Sequence, residues 1–192
     1  MHLLEQAILE KGQILDGNIL KVDSIINHQI DPALMEQLGE AFYQHFKEKN
    51  ITKVVTVESS GIAPAVMCAL KLNVPLVFLK KTTPATMMEP LSAEVVSYTK
   101  NKRYTLCAER KYICDNDRLL FIDDFLANGE AFRGVEKIVA QTSAEMVGVG
   151  ILIEKSFQKG HDYIVNGGYD LYSLADIVSF ENNEITFRSE AE

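Results

Sequence analysis

Residues 119–131 form the most constraining stretch of this chain, because they join an apolar run, two adjacent acids and a helix start. The apolar run Leu119-Leu120-Phe121-Ile122 is followed by Asp123 and Asp124 and then by a short loop that contains Gly129. The run predicts a buried strand, so the acids stand at its carboxyl end, where open α/β sheets bind ligands. The loop leads into a predicted helix, whose free backbone N–H groups and dipole attract phosphate. Acids for hydroxyls or a metal ion, beside such a loop, indicate a sugar-phosphate ligand.

The other apolar segments alternate between strand and helix patterns. Residues 51–57 are rich in β-branched residues, residues 63–72 form an apolar helical segment, and residues 74–79 are a further apolar run. This strand–helix–strand order implies parallel strands joined by a right-handed crossover. The alternation continues with strands at 119–122 and 146–153 and a helix over 129–142. We therefore predict an α/β fold with a central, mostly parallel sheet flanked by helices, in a single domain covering residues 1–192.

The segments around this predicted centre are shorter. A helix is expected over residues 3–11, and another begins at Asp31-Pro32, where aspartate caps and proline fits the first turn. Residues 82–93 contain two prolines without a clean period and are interpreted as a mobile loop. The remaining predictions are a hairpin at 94–99 and 103–107, a short helix or turn at 160–168, and a final hairpin at 175–180 and 184–187 across Asn182-Asn183.

The composition narrows the classes of partner. The chain has 192 residues and a formal net charge of −8, and an acidic chain is a poor non-specific nucleic-acid binder because phosphate contacts need clustered Lys and Arg. It contains no apolar run long enough to span a membrane, and its N-terminus lacks the basic and apolar regions of a signal peptide. We therefore expect a cytoplasmic protein that binds neither nucleic acid nor membrane.

Two further groups of polar residues follow predicted strands. The run Glu58-Ser59-Ser60-Gly61 follows the first central strand, and its hydroxyls and closely spaced N–H groups suit phosphate oxygens. Lys155 follows the strand at 146–153, where its ammonium is either a ligand donor in a cleft or a surface charge paired with an acid. A lysine pair, Lys80 and Lys81, leads into the 82–93 loop, and both are either solvated or positioned to bind an anion.

The motif at 119–131 resembles the phosphoribosyl diphosphate signature of the type I phosphoribosyltransferases. That signature consists of four apolar residues, two acids, two apolar residues and a small-residue phosphate loop. Further segments are similar to the xanthine-specific bacterial members of the family, and together they extend the resemblance over nearly the whole chain: Val22 to Pro32, Val57-Glu58-Ser59-Ser60-Gly61-Ile62-Ala63-Pro64, and Ile153-Glu154-Lys155-Ser156-Phe157.

The resemblance implies a role for each candidate residue. Asp123 and Asp124 would orient the ribose hydroxyls. The 5′-phosphate of phosphoribosyl diphosphate would bind the loop Ala127-Asn128-Gly129-Glu130-Ala131, and its diphosphate would bind Glu58-Ser59-Ser60-Gly61 together with Lys81. The purine base, xanthine, would be bound by Leu20, Asn27 and Lys155. The resemblance also implies Mg2+ held through substrate and water rather than directly by protein, a homodimer, a small hood built from the terminal segments, and closure of the 82–93 loop over the diphosphate.

The phosphate loop departs from the broad family pattern, which is often rich in threonine. Here the loop has no hydroxyl side chain, so backbone amides and Asn128 would hold the 5′-phosphate. A carboxylate facing a phosphate is repelled, and Glu130 is therefore expected to point to solvent. Two alternatives to a xanthine-specific enzyme remain open: an enzyme specific for adenine or guanine, and a non-catalytic regulator that senses phosphoribosyl diphosphate.

Overall fold

The computed structural model describes residues 2–15, 19–97, 102–181 and 184–188. Its five α-helices, in chain order, are α1 (His2–Lys11), α2 (Pro32–Phe46), α3 (Ile62–Leu72), α4 (Glu130–Val139) and α5 (Lys159–Asn166). The strands are β1 (Gln13–Leu15), β2 (Ile19–Lys21), β3 (Lys53–Val57), β4 (Leu76–Leu79), β5 (Pro90–Ser97), β6 (Lys102–Glu109), β7 (Arg118–Leu126), β8 (Glu145–Lys155), β9 (Leu171–Glu181) and β10 (Glu184–Phe187). None of the helices in these ranges has both the length and the apolar character needed to cross a membrane.

Six of the strands form the central sheet, in the order β10-β9-β8-β7-β3-β4. Every pairing from β9 to β4 is parallel, and β10 lies antiparallel to β9. The predicted α/β fold with a mostly parallel sheet is therefore confirmed. From β3 the chain crosses to β4 on one side, and from β7 it crosses to β8 on the other. The carboxyl ends of β3 and β7 thus meet at a topological switch point, where ligand-binding crevices open in such sheets.

Two apolar cores cover the two faces of the sheet. Alternate residues of β7 point to opposite faces, so Leu120 and Ile122 enter the first core, whereas Leu119 and Phe121 enter the second. The predicted apolar stripe of α2 packs in the first core, and all four residues of the stripe are buried: Leu34, Leu38, Phe42 and Phe46. Truncating either fully buried phenylalanine to alanine would cost about 3–5 kcal/mol. Helices α4 and α5 and the β5–β6 hairpin cover the other face.

The terminal segments pack on each other beside the sheet. Leu20 and Val22, from the N-terminal segment, lie in the first core with Ile177 of β9. Phe180 and Phe187, from β9 and β10, pack against the same cluster. Between β2 and α2, residues Asp23–Asn27 form one π-helical turn whose Ile25 and Ile26 are buried. The N-terminal segment therefore packs against β9 and β10, as expected for a hood built from the terminal segments.

Several predicted boundaries were wrong. The irregular segment after β4 ends at Glu89, because Pro90 to Ala93 already belong to β5. Strand β7 continues to Leu126, beyond the predicted end at Ile122, because both acids remain in the extended backbone that pairs with β8. Helix α4 stops at Val139 rather than Thr142. The predicted turn at Asn182-Asn183 lies outside the described residues.

Candidate active site at the carboxyl ends of β3, β7 and β8

The two adjacent acids lie in the last part of β7. Asp123 is buried and Asp124 is half-buried, and the backbone N–H of Asp124 donates to Asp123 Oδ1 at 3.0 Å. Burial, and next the neighbouring Asp124 carboxylate, raise the pKa of Asp123 well above its usual value. Burial also raises the pKa of Asp124. Two desolvated carboxylates side by side form a site that hydroxyl donors or a cation would stabilise.

The loop after β3 approaches these acids closely. A Cβ atom at Gly61 would lie 2.3 Å from Thr56 Oγ1 and 2.7 Å from Asp123 Oδ1, so glycine is required here. The Ser60 side chain forms a hydrogen bond with Asp124 that lowers the pKa of Asp124 and so acts against the effect of burial. The fold therefore brings Glu58-Ser59-Ser60-Gly61 and the acids of β7 to one place. Thr56 Oγ1, which the sequence did not single out, is buried and has no hydrogen-bond partner among the described residues.

The adjacent lysines Lys80 and Lys81 face different surroundings. The backbone N–H of Lys81 donates to Glu58 Oε1 at 2.6 Å, which ties this residue to the loop after β3. The positive charge of Lys81 also acts against the rise in the pKa of Asp123. Lys80 Nζ instead lies 5.0 Å from the centre of the Phe78 ring, beside a separate cavity. Of the two, Lys81 is the lysine that lies near the acids.

The loop between β7 and α4 is fixed by contacts with α5 and within α4. Gly129 has φ +86°, and a Cβ there would lie 3.2 Å from Gly160 Cα. The Gly160 N–H donates to Ala127 O at 2.9 Å, and Arg133 Nη1 donates to Asn128 O at 3.0 Å. The first N–H groups of a helix have no partner within it, so the start of α4 presents free donors. They border a cavity of about 160 Å³ that Asp123 also lines.

Glu130 does not point to solvent, contrary to the expectation from sequence. Its side chain lines the same cavity, and its Oε1 atom is buried without a hydrogen-bond partner among the described residues. Two positive groups favour this position: the N-terminal end of the α4 dipole and Arg133, whose Nη1 lies 4.0 Å from Glu130 Oε1. Repulsion by a phosphate alone predicts a solvent-facing Glu130, and these two attractions explain why the side chain lies in the cavity instead.

The candidate base-binding residues lie around the end of β8. Lys155 is half-buried, and its Nζ lies 5.9 Å from the Phe125 ring centre and 5.4 Å from that of Phe180. Burial lowers the pKa of Lys155. Leu20 is buried in the core cluster against which Phe125 packs. Asn27 ends the π-helical turn with an exposed side chain. Phe125 follows Asp124 directly and therefore links this region to the acid pair.

Two features near the site had no signal in the sequence. Glu154 is buried beside Lys155 and accepts hydrogen bonds from His161 Nδ1, at 2.5 Å, and from the Ser173 hydroxyl. Tyr104 of β6 lines the cavity at the start of α4. The alternation in β6 indicates that Tyr104 shares a face with Leu106, but it does not indicate which surface that face covers.

Solved structures of adenine phosphoribosyltransferases share this architecture. The enzyme from Rhodothermus marinus superposes with a TM-score of 0.75 at 21% identity, over 92% of this chain and 100% of that one. The enzyme from Trypanosoma brucei, solved in complex with AMP, pyrophosphate and ribose-5-phosphate, gives a TM-score of 0.72 at 20% identity, over 91% of this chain and 79% of that one. At this level of identity the match establishes the fold.

Sequence comparison places the chain among closer relatives. The xanthine phosphoribosyltransferase of Listeria innocua is 50% identical over 191 residues, which are 99% of this chain and 100% of the relative. The xanthine phosphoribosyltransferase of Macrococcus caseolyticus is 48% identical over 193 residues, with all of both chains covered. The family model described as phosphoribosyl transferase domain matches residues 27–181. This chain therefore belongs to the phosphoribosyltransferase family.

Proposed function

We propose that this chain is an enzyme of purine salvage that joins N9 of xanthine to C1′ of 5-phosphoribosyl 1-diphosphate and releases xanthosine 5′-monophosphate and diphosphate. Relatives with about half of their residues identical over their full lengths are xanthine phosphoribosyltransferases. The structural observation that supports this specificity most is the half-buried Lys155 at the end of β8, on the same sheet edge as the acids of β7.

The residues at the switch point fit the two phosphate groups and the ribose. Asp123 and Asp124 accept hydrogen bonds from the ribose hydroxyls. The loop Ala127-Asn128-Gly129-Glu130-Ala131 binds the 5′-phosphate through the free N–H groups at the start of α4. The loop Glu58-Ser59-Ser60-Gly61 and Lys81 bind the diphosphate, and Glu58 positions Lys81 through the hydrogen bond at 2.6 Å.

Catalysis in such a site consists of positioning and charge stabilisation. When the C1′–diphosphate bond breaks, positive charge develops on the ribose ring. The acids of β7 are desolvated, so the negative charge of an ionised carboxylate in this pair acts on the developing charge with little screening by water. Because the loops that bind the phosphates are held by backbone contacts, the sugar is oriented before N9 attacks.

Mg2+ is the metal ion that fits this site. Among the described residues, no group of three or more His, Cys, Asp or Glu side chains could hold a metal ion by itself. Mg2+ usually keeps several waters and binds substrate phosphates, so the ion would be held by the substrate and by water, with Asp123 and Asp124 reaching it through water rather than directly. The bound ion would neutralise charge on the diphosphate.

The base is selected by hydrogen-bond donors. Xanthine presents a carbonyl oxygen at C6, whereas adenine presents an amino group there. Lys155 has only donors, so it satisfies the oxygen of xanthine and leaves the amino group of adenine without an acceptor. Asn27 has both donor and acceptor capacity and would bind the C2 side of the base, while Leu20 would pack against it. We also propose a cytoplasmic homodimer built from a single-domain chain.

A spectroscopic assay of each purine base with phosphoribosyl diphosphate and Mg2+ tests this function. The expected result is rapid nucleotide formation from xanthine and little from adenine. Nucleotide formation from adenine alone would contradict the xanthine assignment. Binding of phosphoribosyl diphosphate without turnover of any base would favour the regulator instead, although the acidity of the chain disfavours a DNA-binding role.

A further inference from the structure

Tyr104 of β6 lines the cavity that we assign to the 5′-phosphate. It is half-buried, and the same cavity is lined by Asp123, Gly129, Glu130 and Ala131. The Lys81 ammonium lies 6.0 Å from the centre of the Tyr104 ring. The tyrosine therefore stands among the groups to which we assign the sugar, the phosphate and the diphosphate, although it comes from a hairpin outside the central sheet.

The hairpin is held firmly against the helix that begins at this cavity. In the β5–β6 register Val95 pairs with Tyr104. A Cβ at Gly134 of α4 would lie 2.4 Å from Val95 Cγ2 and 2.7 Å from Leu106 Cδ1, so the hairpin packs directly on the backbone of α4. Val95 and Leu106 are themselves buried. The packing of the hairpin on α4 thus fixes Tyr104 relative to the phosphate loop.

The phosphate loop lacks the kind of donor that Tyr104 carries. None of the residues from Ala127 to Ala131 has a hydroxyl group, and Glu130 brings a carboxylate to the cavity. A bound phosphate needs donors, and a phenolic hydroxyl is one. We propose that the Tyr104 hydroxyl donates a hydrogen bond to the 5′-phosphate of bound phosphoribosyl diphosphate and supplies the hydroxyl that the loop does not have.

The surroundings keep Tyr104 in its donor form. Burial, followed by the charges of Asp123 and Glu130, raises the pKa of Tyr104 above its usual value. The phenol is therefore protonated at neutral pH and cannot add a further negative charge beside the phosphate. This inference rests on the proposed function for the identity of the ligand, and the test uses both turnover and direct binding.

The test is Tyr104→Phe, which removes one oxygen atom and keeps the ring. A hydrogen bond to a charged group is lost, so the KM for phosphoribosyl diphosphate and the Kd of ribose 5-phosphate, measured by titration calorimetry, should each rise about ten-fold or more. The KM for xanthine and the Kd of free diphosphate should stay unchanged. Tyr112→Phe is the matched control, because Tyr112 is exposed outside this cavity, and it should alter none of these values.

The outcomes separate this inference from the proposed function. If the unmodified enzyme forms nucleotide from xanthine, and Tyr104→Phe binds ribose 5-phosphate as tightly as the unmodified enzyme does, the inference is wrong and the function stands. If no base is turned over but Tyr104→Phe still weakens ribose 5-phosphate binding, the contact stands and the function is wrong. Equal losses of ribose 5-phosphate and diphosphate affinity would indicate a general distortion and would also overturn the inference.

Discussion

Gly61→Ala tests the close approach between the loop after β3 and the acids of β7. The added methyl group would lie 2.7 Å from Asp123 Oδ1 and 2.3 Å from Thr56 Oγ1, whereas ordinary contacts begin at 3.4 Å. Thr56 and Asp123 are both buried, so neither side chain can turn into solvent. Either the Asp123 carboxylate or the loop itself must therefore move.

The expected loss follows from the size of that movement. A misplacement of about 1 Å in a catalytic site costs about 100-fold, and we expect a fall of this size in kcat/KM for phosphoribosyl diphosphate. Overpacking should also lower the free energy of unfolding by about 1–3 kcal/mol. Initial rates with phosphoribosyl diphosphate varied at saturating xanthine measure the first quantity, and urea unfolding measures the second.

Gly39→Ala provides a matched control for the cost of overpacking. A Cβ at Gly39 would lie 2.4 Å from Met67 Cβ, where α2 packs on α3. This variant should be destabilised to a similar degree yet keep kcat/KM within about two-fold for the folded enzyme. Unchanged kcat/KM in Gly61→Ala, or an equal loss in Gly39→Ala, would refute the argument that the close approach positions Asp123.

Three further substitutions, with Lys80→Met as a control, separate catalysis, binding and stability. Burial raises the pKa of Asp123, so the stability of the protein falls as pH rises through that raised value. Asp123→Asn should therefore raise Tm at about pH 7 and lose this gain in acid, as scanning calorimetry would show. The same variant should lose most of its activity in a rate assay. Lys81→Met should raise the KM for phosphoribosyl diphosphate about ten-fold, whereas Lys80→Met should leave it unchanged in the same assay, because Lys80 faces Phe78. Burial would raise the pKa of Asp117, but hydrogen bonds, led by that from Lys53 at 2.6 Å, hold it below its usual value. Asp117→Asn should therefore lower the free energy of unfolding by about 2–3 kcal/mol at neutral pH. This loss should disappear as pH falls through the lowered pKa of Asp117, and urea unfolding across a pH series would measure it.

The central fold was predictable because its elements carry their own periodic patterns. The stripe of α2 and the apolar runs of β3, β7 and β8 repeat at the helix and strand periods, and burial follows those patterns. Boundaries were less accurate where a pattern gave no end signal. Strand β7 extends through two acids because it pairs with β8 as far as Leu126, and such pairing depends on the neighbouring strand.

The site was predictable where its residues follow a strand, and less so where tertiary packing positions a side chain. The acids lie in the last part of β7 and the loop ending at Gly61 follows the adjacent parallel strand β3, so the topology brings them together. The inward position of Glu130 depends on the α4 dipole and Arg133, and the position of Tyr104 depends on a hairpin packed on Gly134. The position of Tyr104 leaves no local pattern in the sequence, whereas the i, i+3 spacing of Glu130 and Arg133 at a helix start is a local signal for the position of Glu130.

A competition assay tests the claimed base specificity most directly. The enzyme and its Lys155→Met variant would each receive phosphoribosyl diphosphate, Mg2+ and equal concentrations of xanthine, guanine and adenine, and the nucleotide products would be quantified by mass spectrometry. We expect xanthosine 5′-monophosphate as the main product of the unmodified enzyme, and at least about ten-fold less of it from Lys155→Met, with unchanged affinity for phosphoribosyl diphosphate. AMP as the main product, or full retention of xanthine turnover by Lys155→Met, would contradict the proposed specificity.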